Sequence, residues 1–363
     1  MIYLDYQATT PLAPEAKAAM LPWLDHFANP HSPSRSGREA AAAVEHARGQ
    51  VAALLPTGGE TIFTSGATEA LNMVLQGTRG RIITLATEHA AVLDTVEWLR
   101  SEGREVEVLA VEADGLVDLD RLRQALRTPT VLVAAMLVNN EIGVVQPIAE
   151  IADLAHAAGA LMLCDAVQGF GRLPLPQGPD FIAVSAHKIH GPKGVGALWL
   201  RDGVTLDPLL HGGGQERGLR SGTLSPMLCA GFGAAAGLAA ERLDRDHAHV
   251  ERLWQTALQT LGPGWIVNGS TEQRYQGNLN VRRDGLDAAR LLADCRQVAF
   301  SLGSACASGS GRPSHVLRAL GISNRAARQS IRLGFGRYTT LEEIAEACTL
   351  LRNAAQAQQR FAA

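Results

Sequence analysis

The sequence predicts an α/β protein built on a mostly parallel sheet flanked by helices in a large domain, with a smaller α/β domain. Three observations predict it. Short apolar runs alternate with helical periodicity from residue 81 to 200. An apolar content of 46% over 363 residues supplies a large core, more than one domain of ordinary size needs. After the glycine-rich stretch His211-Gly-Gly-Gly-Gln-Glu-Arg-Gly218, the pattern changes to long helices.

Taken in order, Thr61-Ile-Phe63 reads as a short strand leading into a helix, and Arg81 to Ala86 as a second strand. A helix from His89 to Arg100, a strand from Val106 to Val111, a helix from Asp118 to Leu126 and a strand from Val131 to Val138 follow. Pro147 opens a further helix that Gly159 closes, since proline suits a first turn and glycine an exit. Ala160 to Cys164 and Phe181 to Val184 are apolar runs of strand length, and Gly194 to Leu200 reads as an added edge strand. Two helices are expected from Pro226 to Arg242 and Asp246 to Leu261, and a last one from about Thr340, where Glu342 and Glu343 match the helix dipole. Gly231-Phe-Gly-Ala-Ala-Ala-Gly237 imitates a dinucleotide motif, but its spacing is wrong and it falls inside a helix.

Composition excludes several classes. The N-terminus Met1-Ile-Tyr-Leu-Asp-Tyr-Gln7 has no basic or apolar leader, and no apolar run is long enough to span a bilayer, so a cytoplasmic protein is expected. A net charge of −3 without a basic run argues against nucleic acid as a partner. The five cysteines are widely spaced and never form Cys-x-x-Cys, which speaks against a disulfide framework or a zinc site; no metal is expected.

Of thirty-three basic residues only three are lysines, and two of these, Lys188 and Lys193, lie in Ser185-Ala-His-Lys-Ile-His-Gly-Pro-Lys-Gly194. Arginine keeps its proton and cannot form a Schiff base, so a lysine beside histidines and glycines points to amine chemistry. Asp165 follows the apolar run Leu161-Met-Leu-Cys164, at the carboxyl end of a strand where ligands of parallel sheets lie. Alone, Asp165 reads as a cap or loop carboxylate. Together the two supply what pyridoxal 5′-phosphate (PLP) requires: an amine for the carbonyl and a carboxylate for the ring nitrogen.

An anion site accompanies them. Thr64-Ser-Gly-Ala-Thr-Glu-Ala70 leads from strand to helix, aiming the backbone N–H groups of Ala67 and Thr68 at a phosphate without a Walker lysine. His89 opens a helix just after a strand, where an imidazole can stack on a flat ring or move protons; a solvent-exposed helix histidine is the bland alternative. His187 is placed to hold a phosphate oxygen. Far downstream, Cys306 stands in Ser301-Leu-Gly-Ser-Ala-Cys-Ala-Ser-Gly-Ser-Gly-Arg-Pro313, a composition that offers no bulky packing partner and reads as a surface loop with an accessible thiol. Arg332 is a candidate bidentate clamp for a substrate carboxylate, or else an ordinary surface arginine.

These segments, with Tyr3-Leu-Asp-Tyr-Gln-Ala-Thr-Thr-Pro11, Val138-Asn-Asn-Glu-Ile-Gly-Val-Val-Gln146, Cys164-Asp-Ala-Val-Gln168, Arg220-Ser-Gly-Thr223 and Gly303-Ser-Ala-Cys306, closely resemble the cysteine desulfurases of the NifS/IscS type. That family belongs to the class V aminotransferases of PLP fold type I, and the resemblance covers essentially the whole chain in order. It implies a large PLP-binding domain at 12–245, and a small domain of 1–11 and 246–363 carrying the cysteine loop.

By the same resemblance Lys188 is the Schiff-base lysine and Asp165 the partner of the ring nitrogen. Gln168 and Asn140 face the phenolic oxygen, His89 stacks on the ring, and Ala67, Thr68, Ser185 and His187 hold the phosphate. Thr223 completes the phosphate site of a neighbouring subunit, implying a homodimer. Arg332, with Asn140, receives the substrate carboxylate, and Cys306 attacks the substrate sulfur. The implied activity turns L-cysteine into L-alanine and leaves a persulfide on Cys306 for a sulfur-acceptor protein, an iron–sulfur scaffold or a sulfur carrier. A selenocysteine lyase, another class V enzyme, or a non-catalytic sulfur-carrier partner are the alternatives. Asn29-Pro-His-Ser-Pro-Ser34 departs from the family's usual Asn-Pro-Ser-Ser-x-His, and an end at Ala363 leaves the acceptor open.

Overall fold

The computed structural model describes residues 1–303 and 313–362, with side chains through Gln358. Its centre is a seven-stranded sheet. Across it the strands run Gly59–Thr64, Gly196–Arg201, Phe181–Ser185, Leu161–Asp165, Leu132–Met136, Ile82–Leu85 and Val106–Leu109. Only Gly196–Arg201 is reversed, antiparallel to both its neighbours. The other six point the same way, so their carboxyl ends share one edge.

Alternation along each strand sends side chains to two cores. Leu132, Ala134, Leu163, Phe181 and Ala183 pack with Leu71, Val74, Val92 and Val96 under the helices Ala67–Gly77 and Ala90–Ser101. Val133, Ala135, Met162, Cys164, Ile182 and Val184 face the other way, toward Val44, Ile151 and Phe232 of the helices Arg35–Ala52, Ile148–Ala157 and Pro226–Leu261. Each of the large residues, fully buried, contributes about 1.5–3 kcal/mol. Cys164 and Asp165 are therefore neighbours in sequence on opposite faces.

Two expectations about this region are corrected. Gly196–Arg201 is an interior strand, because Gly59–Thr64 lies outside it. Its first five residues are buried, the continuous apolar pattern of a strand covered on both faces. The edge strand's own backbone is covered by a side-chain pair: Phe63 N donates to Glu216 Oε2 at 2.6 Å, and Arg48 Nη1 donates to the Thr61 carbonyl at 2.8 Å. Pro226–Leu261 is one helix of 36 residues, where two were expected. The charged run Glu241 to Asp246 contains neither proline nor glycine, and Arg242 pairs with Asp246 one turn on at 3.3 Å, so the run is a helix face and not a break. The expected boundary between residues 245 and 246 falls inside this helix.

Beyond the long helix, an antiparallel sheet runs Ser301–Leu302, Ser330–Gly334, Asn278–Arg282 and Ile266–Val267. The N-terminal strand Ile2–Tyr3 pairs in parallel with Val298–Ala299, and Asp5 bridges to Gly334. This pairing draws residues 5–8 toward the carboxyl edge of the large sheet. Among the described residues, no helix is long and apolar enough to cross a membrane.

Candidate active site

A cavity of about 530 Å³ opens at that edge, a size typical of small-molecule sites. Five co-directional strands supply its wall from the residues that follow them. Ser65 to Glu69 come after Gly59–Thr64, and His89 after Ile82–Leu85. Val138 and Asn140 come after Leu132–Met136. Asp165, Val167 and Gln168 end and follow Leu161–Asp165, and Ser185, His187 and Lys188 end and follow Phe181–Ser185. Gln7, Ala8, Lys193 and Arg332 also line it.

One end suits an anion. The helix Ala67–Gly77 begins there, and Lys193 and His187 stand beside it. Register aligns Thr64, Gly196 and Ser185 across three strands. A Cβ at Gly196 would lie 2.8 Å from the Gly66 Cα and 2.6 Å from the Val184 carbonyl oxygen, so only glycine lets the turn at 65–66 settle over the reversed strand. Glu69 fixes the same turn by accepting from Ser65 N at 2.7 Å and from Arg220 Nε at 2.7 Å. His187 Nδ1 lies 3.2 Å from Thr9 Oγ1; burial first, then Lys188 and Lys193, lowers its pKa to about 4. At neutral pH it offers an N–H and no charge.

The other end holds a carboxylate. Asp165 is buried, and its Oδ1 accepts from Val167 N at 3.0 Å. Burial raises its pKa, against the opposing influence of His89, Val167 N and Lys188. His89 caps the helix Ala90–Ser101, with Nδ1 accepting from Ala91 N at 3.0 Å. Burial lowers its pKa, so it is a neutral ring whose proton sits on Nε2. The exposed-histidine alternative is thereby removed.

Between the two ends, Lys188 Nζ donates to the carbonyls of Gln7 at 2.5 Å and Ala8 at 2.9 Å. Gln168 Nε2 donates to the same Gln7 carbonyl at 3.0 Å. Arg332 is not a surface residue but wholly buried in the strand Ser330–Gly334. Its Nη2 donates to Asp5 Oδ1 at 2.7 Å and Ser301 Oγ at 3.2 Å, and its Nη1 to the Asn140 carbonyl at 3.1 Å. Of its five N–H groups, Nε–H has no partner among the described residues and one on Nη1 remains.

The structure thus brings together Ala67, Thr68, His89, Asn140, Asp165, Gln168, Ser185, His187, Lys188 and Arg332. Thr223 is exposed and outside the lining of this cavity, and Cys306 lies outside the described residues. Sequence reasoning assigned no role to Gln7, Ala8, Asp5 or Ser301. Their contacts span 180 or more residues for Lys188 and 31 or more for Arg332, which no local pattern reveals.

A family model described as aminotransferase class V matches residues 2–346. The chain belongs to that family. Class V relatives include the cysteine desulfurase IscS of Rickettsia bellii, 44% identical over 96% of this chain and 90% of its own length. The NifS-like protein of Rickettsia africae superposes with a TM-score of 0.91 at 30% identity, covering 98% of this chain and 99% of its own. A structure described as SspA in complex with cysteine gives a TM-score of 0.84 at 34% identity, over 94% and 100%. The fold is PLP-dependent transferase fold type I, and the cofactor is PLP. The donor set fits it: an anion-binding helix end, a lysine amine, and a buried carboxylate that a protonated ring nitrogen would stabilise.

Proposed function

We propose that the protein is a PLP-dependent cysteine desulfurase, converting L-cysteine to L-alanine and moving the sulfur to Cys306 for delivery to an acceptor protein. The observation that carries this reading is the convergence of Lys188 and Asp165 from adjacent strand ends on one cavity with an anion-binding end. The relatives named cysteine desulfurase support the choice of substrate.

When bound, PLP supplies an electron sink for the substrate's α-carbon. Ala67, Thr68, Ser185 and His187 would hold its phosphate, Asp165 its ring nitrogen, and Gln168 and Asn140 its phenolic oxygen. Arg332 would receive the substrate carboxylate, with Nε free to donate. Asp5 and Ser301 already occupy the Nη2 side, so the guanidinium is held in place before substrate arrives. Lys188 Nζ moves the α-proton. His89 would stack on the ring and not act as a base, since accepting a proton at Nδ1 would sacrifice its helix cap. Leu71, Met136 and Val138 give the cavity apolar walls that limit water.

The thiol assignment rests on elimination as well as resemblance. Burial raises the pKa of Cys164 well above the usual thiol value, of Cys229 and Cys348 to about 12, and of Cys295 upward. Thiols held protonated are poor nucleophiles, which leaves Cys306. Thr223, exposed and absent from its own chain's cavity, is assigned to a partner's phosphate site in a homodimer. A cytoplasmic location and an iron–sulfur scaffold or sulfur carrier as acceptor complete the proposal.

The test is the absorbance of the purified protein together with its products. A yellow protein that releases alanine from L-cysteine supports the reading. A colourless protein that gains no absorbance when PLP is added would overturn it, and faster turnover of selenocysteine would move it to the lyase.

A further inference from the structure

Gln168 lies between two groups that each bond in one direction only. Arg172 Nη1 donates to Gln168 Oε1 at 2.6 Å, and Gln168 Nε2 donates to the Gln7 carbonyl at 3.0 Å. A guanidinium has no acceptor and a carbonyl has no donor. The amide therefore has a single satisfied orientation, with its NH2 toward the cavity. Turning it over would set NH2 against the guanidinium and oxygen against oxygen.

Arg172 also donates from Nη2 to the Lys188 carbonyl at 2.6 Å, and its guanidinium lies 5.5 Å from the centre of the Tyr275 ring. One side chain thus grips both the backbone of the lysine and the amide beside it. Lys188 Nζ and Gln168 Nε2 share the Gln7 carbonyl, which sets the amide beside the amine that would hold the cofactor. Among the described residues Arg172 forms no ion pair, and a partly buried cation without a carboxylate is costly to place. Packing alone does not explain it.

We infer that Arg172 is a positioning residue that locks Gln168 as a donor toward the cofactor's phenolic oxygen while clamping the Lys188 backbone. The inference rests on the PLP reading. A donor fixed beside that oxygen lowers the proton affinity of the bound chromophore, and losing the donor raises it.

The test is the midpoint of the absorbance change with pH in the cofactor-loaded enzyme, for Arg172→Met, Arg172→Lys, Gln168→Leu and the double variant. Arg172→Met and Gln168→Leu should each raise the midpoint by about 0.5–1 pH unit. The double variant should show no further rise, because both lesions remove one donor. Arg172→Lys retains one N–H for Gln168 Oε1 and should show less than half of the shift. It serves in place of Arg172→Met if that variant does not fold, measured with and without Gln168→Leu. An unchanged midpoint in the Arg172 variants while Gln168→Leu shifts, or shifts that add in full, would overturn the inference and leave the PLP reading intact. A wild type that binds no chromophore would remove both.

Discussion

Replacing Asp165 by asparagine separates charge from shape. Val167 N can still donate to the amide oxygen, so the turn after the strand survives, and only the negative charge at the sheet edge is lost. Against a protonated ring nitrogen, a charge-assisted hydrogen bond to this carboxylate would be worth about 1.5–3 kcal/mol, roughly 10- to 150-fold in rate. The neutral ring that results is also a poorer electron sink, so alanine release should fall by at least ~10²-fold. Stability should move the other way in the cofactor-free protein. Burial raises the Asp165 pKa above its unfolded value, so the folded form binds this proton more tightly. The stability this confers is full below the unfolded pKa and is lost as pH rises through the raised one. The wild type therefore loses stability against the asparagine variant as pH rises, so without cofactor the variant should melt at the higher temperature at neutral pH, by a margin that narrows toward acid. Adding PLP should reverse the order. Calorimetry of both proteins with and without cofactor, at neutral and acid pH, reads these signs. A variant that keeps more than a tenth of wild-type turnover, or that melts lower than wild type without cofactor at neutral pH, would refute the reasoning.

Lys188→Ala should abolish turnover, and borohydride should no longer fix the cofactor to the protein, because no arginine can replace the amine; mass spectrometry after reduction checks it. Gly196→Ala places a Cβ 2.8 Å from the Gly66 Cα, against backbone that cannot swing aside. It should cost about 1–3 kcal/mol and weaken cofactor retention, read by melting and by absorbance. Mixing Lys188→Ala with Thr223→Ala subunits should restore activity, since a hybrid dimer with shared sites holds one site carrying both lesions and one carrying neither. A verified heterodimer without activity would place Thr223 in its own subunit's site.

What the sequence displays depends on whether a feature is local. Asp165 was legible because a buried parallel strand is an apolar run, and the polar residue that ends it marks the ligand edge. The anion-binding turn at 64–68 was legible for the same reason: a strand, a glycine and a helix start follow one another in nine residues of chain or fewer. Direction and neighbours were not, since an apolar run such as Gly196–Arg201 carries no sign of which strands flank it or which way it runs. The charged stretch around Asp246 was misread because exposed polarity marks a loop and a helix face alike. The clamp on Arg332 by Asp5, and on Lys188 by Gln7 and Ala8, arises when the N-terminal strand pairs with residues 298–299, nearly 300 positions away. No period or motif encodes that meeting.

The central claim is that sulfur passes to Cys306, and the direct measurement is mass spectrometry of the wild type after a short pulse of L-cysteine. One added sulfur should be found on Cys306 and none on Cys164, Cys229, Cys295 or Cys348, whose buried thiols stay protonated. Cys306→Ser should bind the cofactor and L-cysteine yet release little alanine. Sulfur on another cysteine, or undiminished alanine release by the serine variant, would contradict the account.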